Sequence, residues 1–406
     1  MRDPELCAWK LWTIVQFLVV RLQTAWARTD ELELLMDNLT PFQRRQEKVK
    51  KLLPEKPYDT FLVSEPWNRA YLSGFWAEDM QLTEFFEVPV LTEKAQVLAT
   101  DFRYQEQAEK EAPDFQVVIY KENLTNILPE IFASLSTRTL GFENHHLTYE
   151  RVMKIQEALQ EWHPPGELLP GGELVEGLRM VKEPEEIQAI RNSLALTESV
   201  LETIVAEAEV GKTEKQLAWR IEQLMREAGA EAISFPPIVA SGPGAAMPHA
   251  VVSDRQLGDS ETIIIDLGAR LDHYCSDMTR TLILGEPDSK AREVYGIVRE
   301  AQLRAIAAVR AGIPSLEVDR VARDYIALAG YGDNFGHGLG HGIGLAVHEK
   351  PGFGKSSSMV LEEDMVVTIE PGIYLPGWGG VRLENMVRVT ADGCEILNQN
   401  EFFYSF

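Results

Sequence analysis

Cysteine is scarce in this chain of 406 residues: Cys7, Cys275 and Cys394 are scattered and odd in number. A disulfide framework is excluded on that count, as is a zinc site built from thiolates. Cys275 reads as a buried strand residue and not a ligand, because thiolates favour softer metal sites. Basic residues are also in short supply, with 39 lysines and arginines against 63 acids and a net charge of −24. Such a balance disfavours nucleic acid and anionic lipid as partners. The apolar run Leu11–Val20 has ten residues, too few to cross a hydrocarbon core of about 30 Å. No low-complexity tract appears, and the first half carries no glycine-rich phosphate loop.

What the chain does have is five donors in stretches of buried character: Asp266, Asp277, His341, Glu370 and Glu384. Ile263-Ile264-Ile265-Asp266 and Val366-Val367-Thr368-Ile369-Glu370 each place an acid directly after an apolar run. One such acid is usually a strand-end residue capping a turn. Several buried together need cations, because an unpaired buried carboxylate costs roughly several kcal/mol. Four carboxylates and one imidazole suit two adjacent divalent ions, which together clamp an attacking water and a polarised carbonyl.

The pattern repeats. Asp266 and Glu370 are 104 positions apart, and so are the helix openings at Pro184 and Asp288. A second amphipathic helix follows each opening, and then a strand-turn-strand, Thr262–Leu284 in one copy and Met365–Thr390 in the other. Each strand pair carries one acid before its turn and one after it. Two such halves packed about a pseudo-twofold axis converge their acids on the seam.

The rest of the organisation follows from punctuation and periodicity. Residues 36–172 alternate helix and strand signals, with helices over Pro41–Leu53, Arg103–Glu111 and Thr148–Trp162. Strands are expected at Thr60–Ser64, Val88–Leu91, Gln96–Thr100, Gln116–Tyr120 and Thr139–Glu143. The stretch from Pro164 to Gly172 reads as a linker into residues 173–406. Thr213-Glu214-Lys215-Gln216 is a capping box opening a helix. Residues 1–35 form an extension in which Leu11–Val20 and Ala25-Trp26-Ala27 look like a signal segment with its cleavage site. Its mixed charges weigh against a signal and suit an upstream start, with Met36 as the domain opening. The expected location is cytoplasmic, or exported if residues 1–27 are a signal peptide.

Three histidines accompany the cluster. His341 lies in the glycine-rich run His337–Gly344, where glycines permit the backbone to approach a ligand closely. His348 follows in Val347-His348-Glu349, and His249 ends the loop Ser241–His249. A lone histidine is more often a surface or satisfied core residue, but beside a carboxylate cluster a catalytic part is the better reading. His337 reads as structural.

These residues resemble the metal-dependent pita-bread peptidases, in the prolidase and Xaa-Pro aminopeptidase branch. Pro248-His249, Ile265–Gly268, Ser276–Thr281, His337–Gly344, Val347–Glu349, Ile369–Tyr374 and Gly380–Glu384 carry the resemblance from about Met36 onward. It implies an α/β (α+β) protein with a creatinase/prolidase-type N-terminal domain and a duplicated pita-bread catalytic domain. By the same resemblance Asp266 holds one ion, His341 and Glu370 the other, and Asp277 and Glu384 bridge them. Glu370 is then the general base, His249 and His348 bind the substrate carbonyl, Arg382 positions the substrate, and Thr279 supports a ligand. Two divalent ions are implied, Mn²⁺ or Co²⁺ ahead of Zn²⁺, with proline-containing peptides as substrates and a homodimer as the assembly.

The chain departs from the branch at one place. Strict Xaa-Pro dipeptidases carry an arginine shortly after the His-Glu pair, and here that position is Gly352, flanked by Lys350 and Lys355. Lysine lacks the bidentate fork that matches a carboxylate. The expectation is therefore an Xaa-Pro aminopeptidase accepting longer peptides. The alternatives are a strict dipeptidase, a non-peptide C–N hydrolase or a non-catalytic binding protein of the same fold.

Overall fold

The computed structural model describes residues 39–77, 88–160 and 165–405. The signal-like segment 1–27 and the proposed opening at Met36 lie outside the described residues. Two compact units meet in sequence at Val175 and Glu176.

The first unit is a six-stranded mixed sheet. Its strand order is Gln116–Tyr120, Gln96–Asp101, Val88–Thr92, Thr60–Leu62, Thr139–Phe142 and Glu167–Pro170. The helix Pro41–Leu52 starts at a capping box: Gln43 N–H donates to Thr40 Oγ1 at 3.2 Å and the Gln43 side chain accepts from Thr40 N–H at 3.0 Å. Proline at the first helical position needs no hydrogen-bond partner there. Two further helices, Pro66–Ser73 and Leu124–Leu135, are absent from the sequence expectation. One is only 8 residues long, and the other contains Pro129. The expected linker also contributes to the sheet, since Glu167–Pro170 pairs in parallel with Thr139–Phe142. At a sheet edge the Pro170 ring interrupts no ladder.

The second unit contains the repeat. Helix Pro184–Glu207 is followed by Glu214–Glu227, and Ser289–Ala308 by Ser315–Leu328. The Thr213–Gln216 box forms, with Gln216 N–H donating to Thr213 Oγ1 at 3.2 Å. Asp288 caps the third of these helices, accepting from Ala291 N–H at 2.6 Å. Each expected strand-turn-strand proves to be four strands, an outer pair and an inner hairpin. In the first copy Thr262–Leu267 pairs with Met278–Ile283, around Ala269–Leu271 and Tyr274–Cys275. In the second, Val366–Ile369 pairs with Asn385–Val389, around Gly372–Leu375 and Gly379–Arg382. Asp266 is the penultimate residue of its outer strand, while Asp277, Glu370 and Glu384 occupy the breaks between outer pair and inner hairpin.

Thr262–Leu267, Met278–Ile283 and Val366–Ile369 are buried along their whole length, which is why the first and third of these carry apolar runs without alternation. The halves meet where Glu384 N–H donates to Thr279 O at 3.1 Å and Thr281 Oγ1 donates to Arg382 O at 2.9 Å. Arg280, fully buried, donates from Nη1 to Thr279 O and Glu384 O and stacks on Phe403. Among the described residues no helix is long and apolar enough to cross a membrane.

Candidate metal centre and active site

The three breaks and the end of the strand Thr262–Leu267 bring four carboxylates together. Asp266, Asp277 and Glu384 are 9, 5 and 1 % exposed. Donor atoms of Asp277, His341 and Glu384 all lie within 4.8 Å of one another. His341 Nε2 is 3.3 Å from Glu370 Oε1 and 3.6 Å from Asp277 Oδ2. Its Nδ1 is 3.1 Å from the Gly342 carbonyl. A carbonyl can only accept, so Nδ1 carries a proton. Nε2 donates to Glu370 when it is protonated too, which burial opposes but Glu370 favours, and loss of that proton frees a lone pair for a cation.

Each acid but one is oriented by a side chain. Arg382 Nη2 donates to Asp266 Oδ2 at 2.7 Å, and Thr279 Oγ1 donates to Glu384 Oε2 at 2.8 Å. Thr368 Oγ1 donates to Glu370 Oε1 at 3.2 Å and accepts from His341 N–H at 3.0 Å. The oxygens Asp266 Oδ1, Asp277 Oδ1 and Glu384 Oε1 are buried and have no hydrogen-bond partner among the described residues. Buried polar atoms without partners are rare and call for an explanation. Three converging carboxylate oxygens beside an imidazole lone pair form a donor set for hard or borderline divalent cations, so these residues fit a metal centre.

The electrostatics agree. Burial pushes the carboxyl of Asp277 well above the usual range, helped by Glu384, Asp266 and Glu370. Glu384 is raised likewise by burial, Glu370 and Asp266. Asp266 is raised by burial, against the pull of Arg382. Glu370 goes the other way: burial opposes ionisation, but the hydrogen bond from His341 holds its carboxyl below the usual range. Clustered carboxylates of this kind are strained without cations and relieved by them.

The cluster forms part of the wall of a cavity of about 610 Å³. Its lining includes His249, His348, Asp266, Asp277, His341 and Glu370, with Phe235, Pro236, Ile238 and Phe353 as apolar wall. His348 packs edge-on against His341, their ring centroids 4.4 Å apart. Burial and the neighbouring His341 hold the His348 imidazole below its usual pKa. Gly352 also lines the cavity, and a Cβ built there meets nothing within 4 Å.

The glycine run behaves differently from the sequence expectation. A Cβ on Gly340 would lie 2.0 Å from Thr368 O, and one on Gly342 would lie 2.2 Å from Lys350 O. These glycines let the strand carrying His341 press against its two neighbours, so what approaches closely is protein backbone. Arg382, expected to position the substrate, lines the cavity and is also bound to protein groups. It is 3 % exposed, and its donors reach Asp266, Thr279 Oγ1 at 3.1 Å, Tyr374 Oη at 3.0 Å and Pro248 O at 3.0 Å. With those bonds made, its guanidinium orients the acids while Arg382 also lines the cavity.

Tyr374 was missed at the sequence level. Its hydroxyl accepts from Arg382 and lies 2.9 Å from His337 Nε2, while His337 Nδ1 is 2.7 Å from Gly338 O. That leaves His337 bracing the site with both nitrogens occupied. Burial raises the Tyr374 phenol to about 12. The only sequence signal was its place in the strand Gly372–Leu375 directly after Glu370.

Comparison with known proteins agrees with this geometry. Residues 188–391 match the model of metallopeptidase family M24, and residues 45–181 match the creatinase/prolidase N-terminal domain. The chain is 37% identical over 360 residues to the Xaa-Pro dipeptidase of Pyrococcus furiosus, covering 88% of this chain and 99% of that one. A solved Xaa-Pro dipeptidase from Bacillus anthracis superposes with a TM-score of 0.83 at 36% identity, over 88% of this chain and 98% of that one. An X-Pro aminopeptidase structure from Thermotoga maritima gives a TM-score of 0.79 at 36% identity, over 87% and 97%. The fold is the pita-bread fold of the prolidases, with a creatinase-like domain before it. The chain belongs to metallopeptidase family M24, a family of hydrolases that use divalent metal ions.

Proposed function

We propose that this chain is a dinuclear metallo-exopeptidase that cleaves the bond between an N-terminal residue and proline, an Xaa-Pro aminopeptidase. The observation that carries the reading is the set of buried oxygens of Asp266, Asp277 and Glu384 without partners among the described residues, grouped with His341 and Glu370 beside a cavity with an apolar wall. Relatives named for action on Xaa-Pro bonds supply the substrate class. We take residues 36–172 as the N-terminal domain, 173–406 as the catalytic domain, a homodimer as the assembly and the cytoplasm as the site of action.

Asp266, Asp277, His341, Glu370 and Glu384 would hold two divalent ions, Mn²⁺ or Co²⁺ ahead of Zn²⁺. When bound, the ions make water acidic enough to attack at neutral pH and polarise the scissile carbonyl. Glu370 accepts the proton of the attacking water and hands it to the departing proline nitrogen, which must be protonated to leave. His249 and His348 donate to the carbonyl oxygen as it gains negative charge. Arg382 and Thr279 keep Asp266 and Glu384 in position. Phe235, Pro236, Ile238 and Phe353 offer the dry surface that suits a pyrrolidine ring.

Substrate length turns on Gly352. A strict dipeptidase must desolvate the carboxylate next to proline and needs a matched cation for it. Gly352 supplies none, and Lys350 and Lys355 are flexible point charges. The second reading, a strict Xaa-Pro dipeptidase, draws on the names of the relatives. The test is kcat/KM for an Xaa-Pro dipeptide against an Xaa-Pro-Yaa tripeptide, in the native chain and in Gly352→Arg. Open space at that Cβ admits the longer side chain. The expectation is tripeptide turnover at least equal to dipeptide turnover, shifting toward the dipeptide by about tenfold in the variant, some 1.4 kcal/mol. A tenfold dipeptide preference in the native chain would establish the second reading.

A further inference from the structure

Glu349 follows His348 and turns inward. Its side chain is 7 % exposed; Oε1 accepts from Arg179 Nη2 and from Ala346 N–H at 3.0 Å, while Oε2 lies 3.3 Å from Lys182 Nζ. The two cations are buried as well, with side chains 6 and 1 % exposed. None of the three residues takes part in the chemistry proposed above. Buried ion pairs stabilise a fold no better than well-packed apolar residues do. Three buried charges at one point are better explained by the geometry they impose.

That geometry centres on the turn Gly344–His348. Gly344 O accepts from Cys275 N–H at 2.8 Å, and Gly344 N–H donates to Ala346 O at 3.1 Å. Ala346 N–H is held by Glu349, and a Cβ at Gly344 would strike Glu349 Oε2 at 2.8 Å. Beyond the turn, Glu349 opens the strand Glu349–Phe353, which pairs with the strand carrying His341. On the other side Lys182 N–H donates to Asp364 O at 3.1 Å and Val181 bridges Met365, at the entry to the strand that leads to Glu370. The clamp therefore ties the turn bearing His348 to the strands bearing two of the metal-site residues. Burial favours the neutral acid, yet Arg179 and Lys182 outweigh it and hold Glu349 below the usual carboxylate range.

We propose that Glu349, gripped by Arg179 and Lys182, is a positioning residue that fixes the Gly344–His348 turn and aims the His348 ring at the substrate carbonyl. The inference rests on the substrate role given to His348. Displacing a positioned group by about an ångström costs up to about 10²-fold in rate, so Glu349→Gln should lower kcat by about 10- to 100-fold while leaving metal content intact. Glu349→Asp, which keeps the charge, should recover part of that loss.

The decisive measurement is a double-mutant cycle on the Mn²⁺-loaded enzyme with an Xaa-Pro-Yaa tripeptide, using Glu349→Gln, His348→Ala and the pair together. The pair should be no slower than His348→Ala alone, and the two single variants should share the same division between kcat and KM. Losses that multiply in the pair, or metal lost in proportion to activity, overturn the inference while leaving the role of His348 standing. An unimpaired His348→Ala would instead remove that role and the inference with it. If Glu349→Gln does not fold, Lys182→Gln carries the same cycle with a smaller loss, because the Arg179–Glu349 pair survives.

Discussion

Asp277→Asn should make the metal-free protein more stable and the metal-loaded protein less so. In the structure Asp277 Oδ1 is buried without a partner, and burial, Glu384, Asp266 and Glu370 all push its pKa up. An acid whose folded pKa is raised contributes destabilisation that sets in above its unfolded pKa of about 3.9 and grows until the folded pKa is passed. At pH 7 the chelated wild type carries that penalty, and an asparagine does not. Its amide N–H groups would also face the surrounding carboxylates as donors. Leaving a buried polar atom unpaired costs about 1–3 kcal/mol, so the chelated variant should gain roughly 2–12 °C in Tm for a unit of this size. Mn²⁺ at a hundred times its Kd should then raise the wild type by about 2.7 kcal/mol, roughly 5–11 °C, and raise the variant far less. Scanning calorimetry in EDTA and in excess Mn²⁺ reads both shifts. A variant less stable than wild type in EDTA, or an equal response to Mn²⁺, would refute the reasoning.

Further outcomes follow from the same geometry. Glu370→Gln should lower kcat by at least about 10²-fold, the scale of general acid–base catalysis, with metal analysis before and after separating lost base from lost ligand. Thr279→Val removes the hydroxyl that orients Glu384 and should weaken metal binding about 10- to 100-fold by titration. Arg382→Met should destabilise the chelated protein by about 3–5 kcal/mol, the cost of breaking a buried pair, and added Mn²⁺ should recover part of it by neutralising Asp266. Unchanged melting of Arg382→Met in EDTA would show that the Arg382–Asp266 contact carries no weight.

The sequence made the acids legible because each follows or precedes an apolar strand, where an unneutralised carboxylate has no business being. The repeat was legible because 104-residue spacing survives in both the acids and the helix openings. The helix Leu124–Leu135 was hidden by Pro129 in its interior, and the edge strand Glu167–Pro170 by the prolines and glycines that flank it. Arg382 illustrates a different limit. Its place beside Glu384 was visible, but its pairing with Asp266 spans 116 positions, and no local pattern states which way a guanidinium will turn. The Glu349 clamp is more remote still, with Arg179 170 positions away and Lys182 167. Local motifs report which residues stand at a site; partners brought in by the fold decide what each can do there.

The way the five donors are supported also separates what is preorganised from what depends on the ions. Asp266 is held by Arg382, Glu384 by Thr279, and Glu370 by Thr368 and His341. These three would keep their geometry in the metal-free protein because their partners are protein groups. Asp277 has no such support: its carboxylate meets only the His341 ring, at 3.6 Å, and its backbone N–H points to Met386 Sδ at 3.4 Å. Cations must therefore do for Asp277 what Arg382 does for Asp266. Burial and the neighbouring acids outweigh the pull of Arg382, so the metal-free site favours the neutral Asp277. Metal binding is then linked to the ionisation of both Asp277 and Glu384, whose carboxyls are pushed well above the usual range, and of these two bridging positions Asp277 is the one that relies on the ions for its orientation as well.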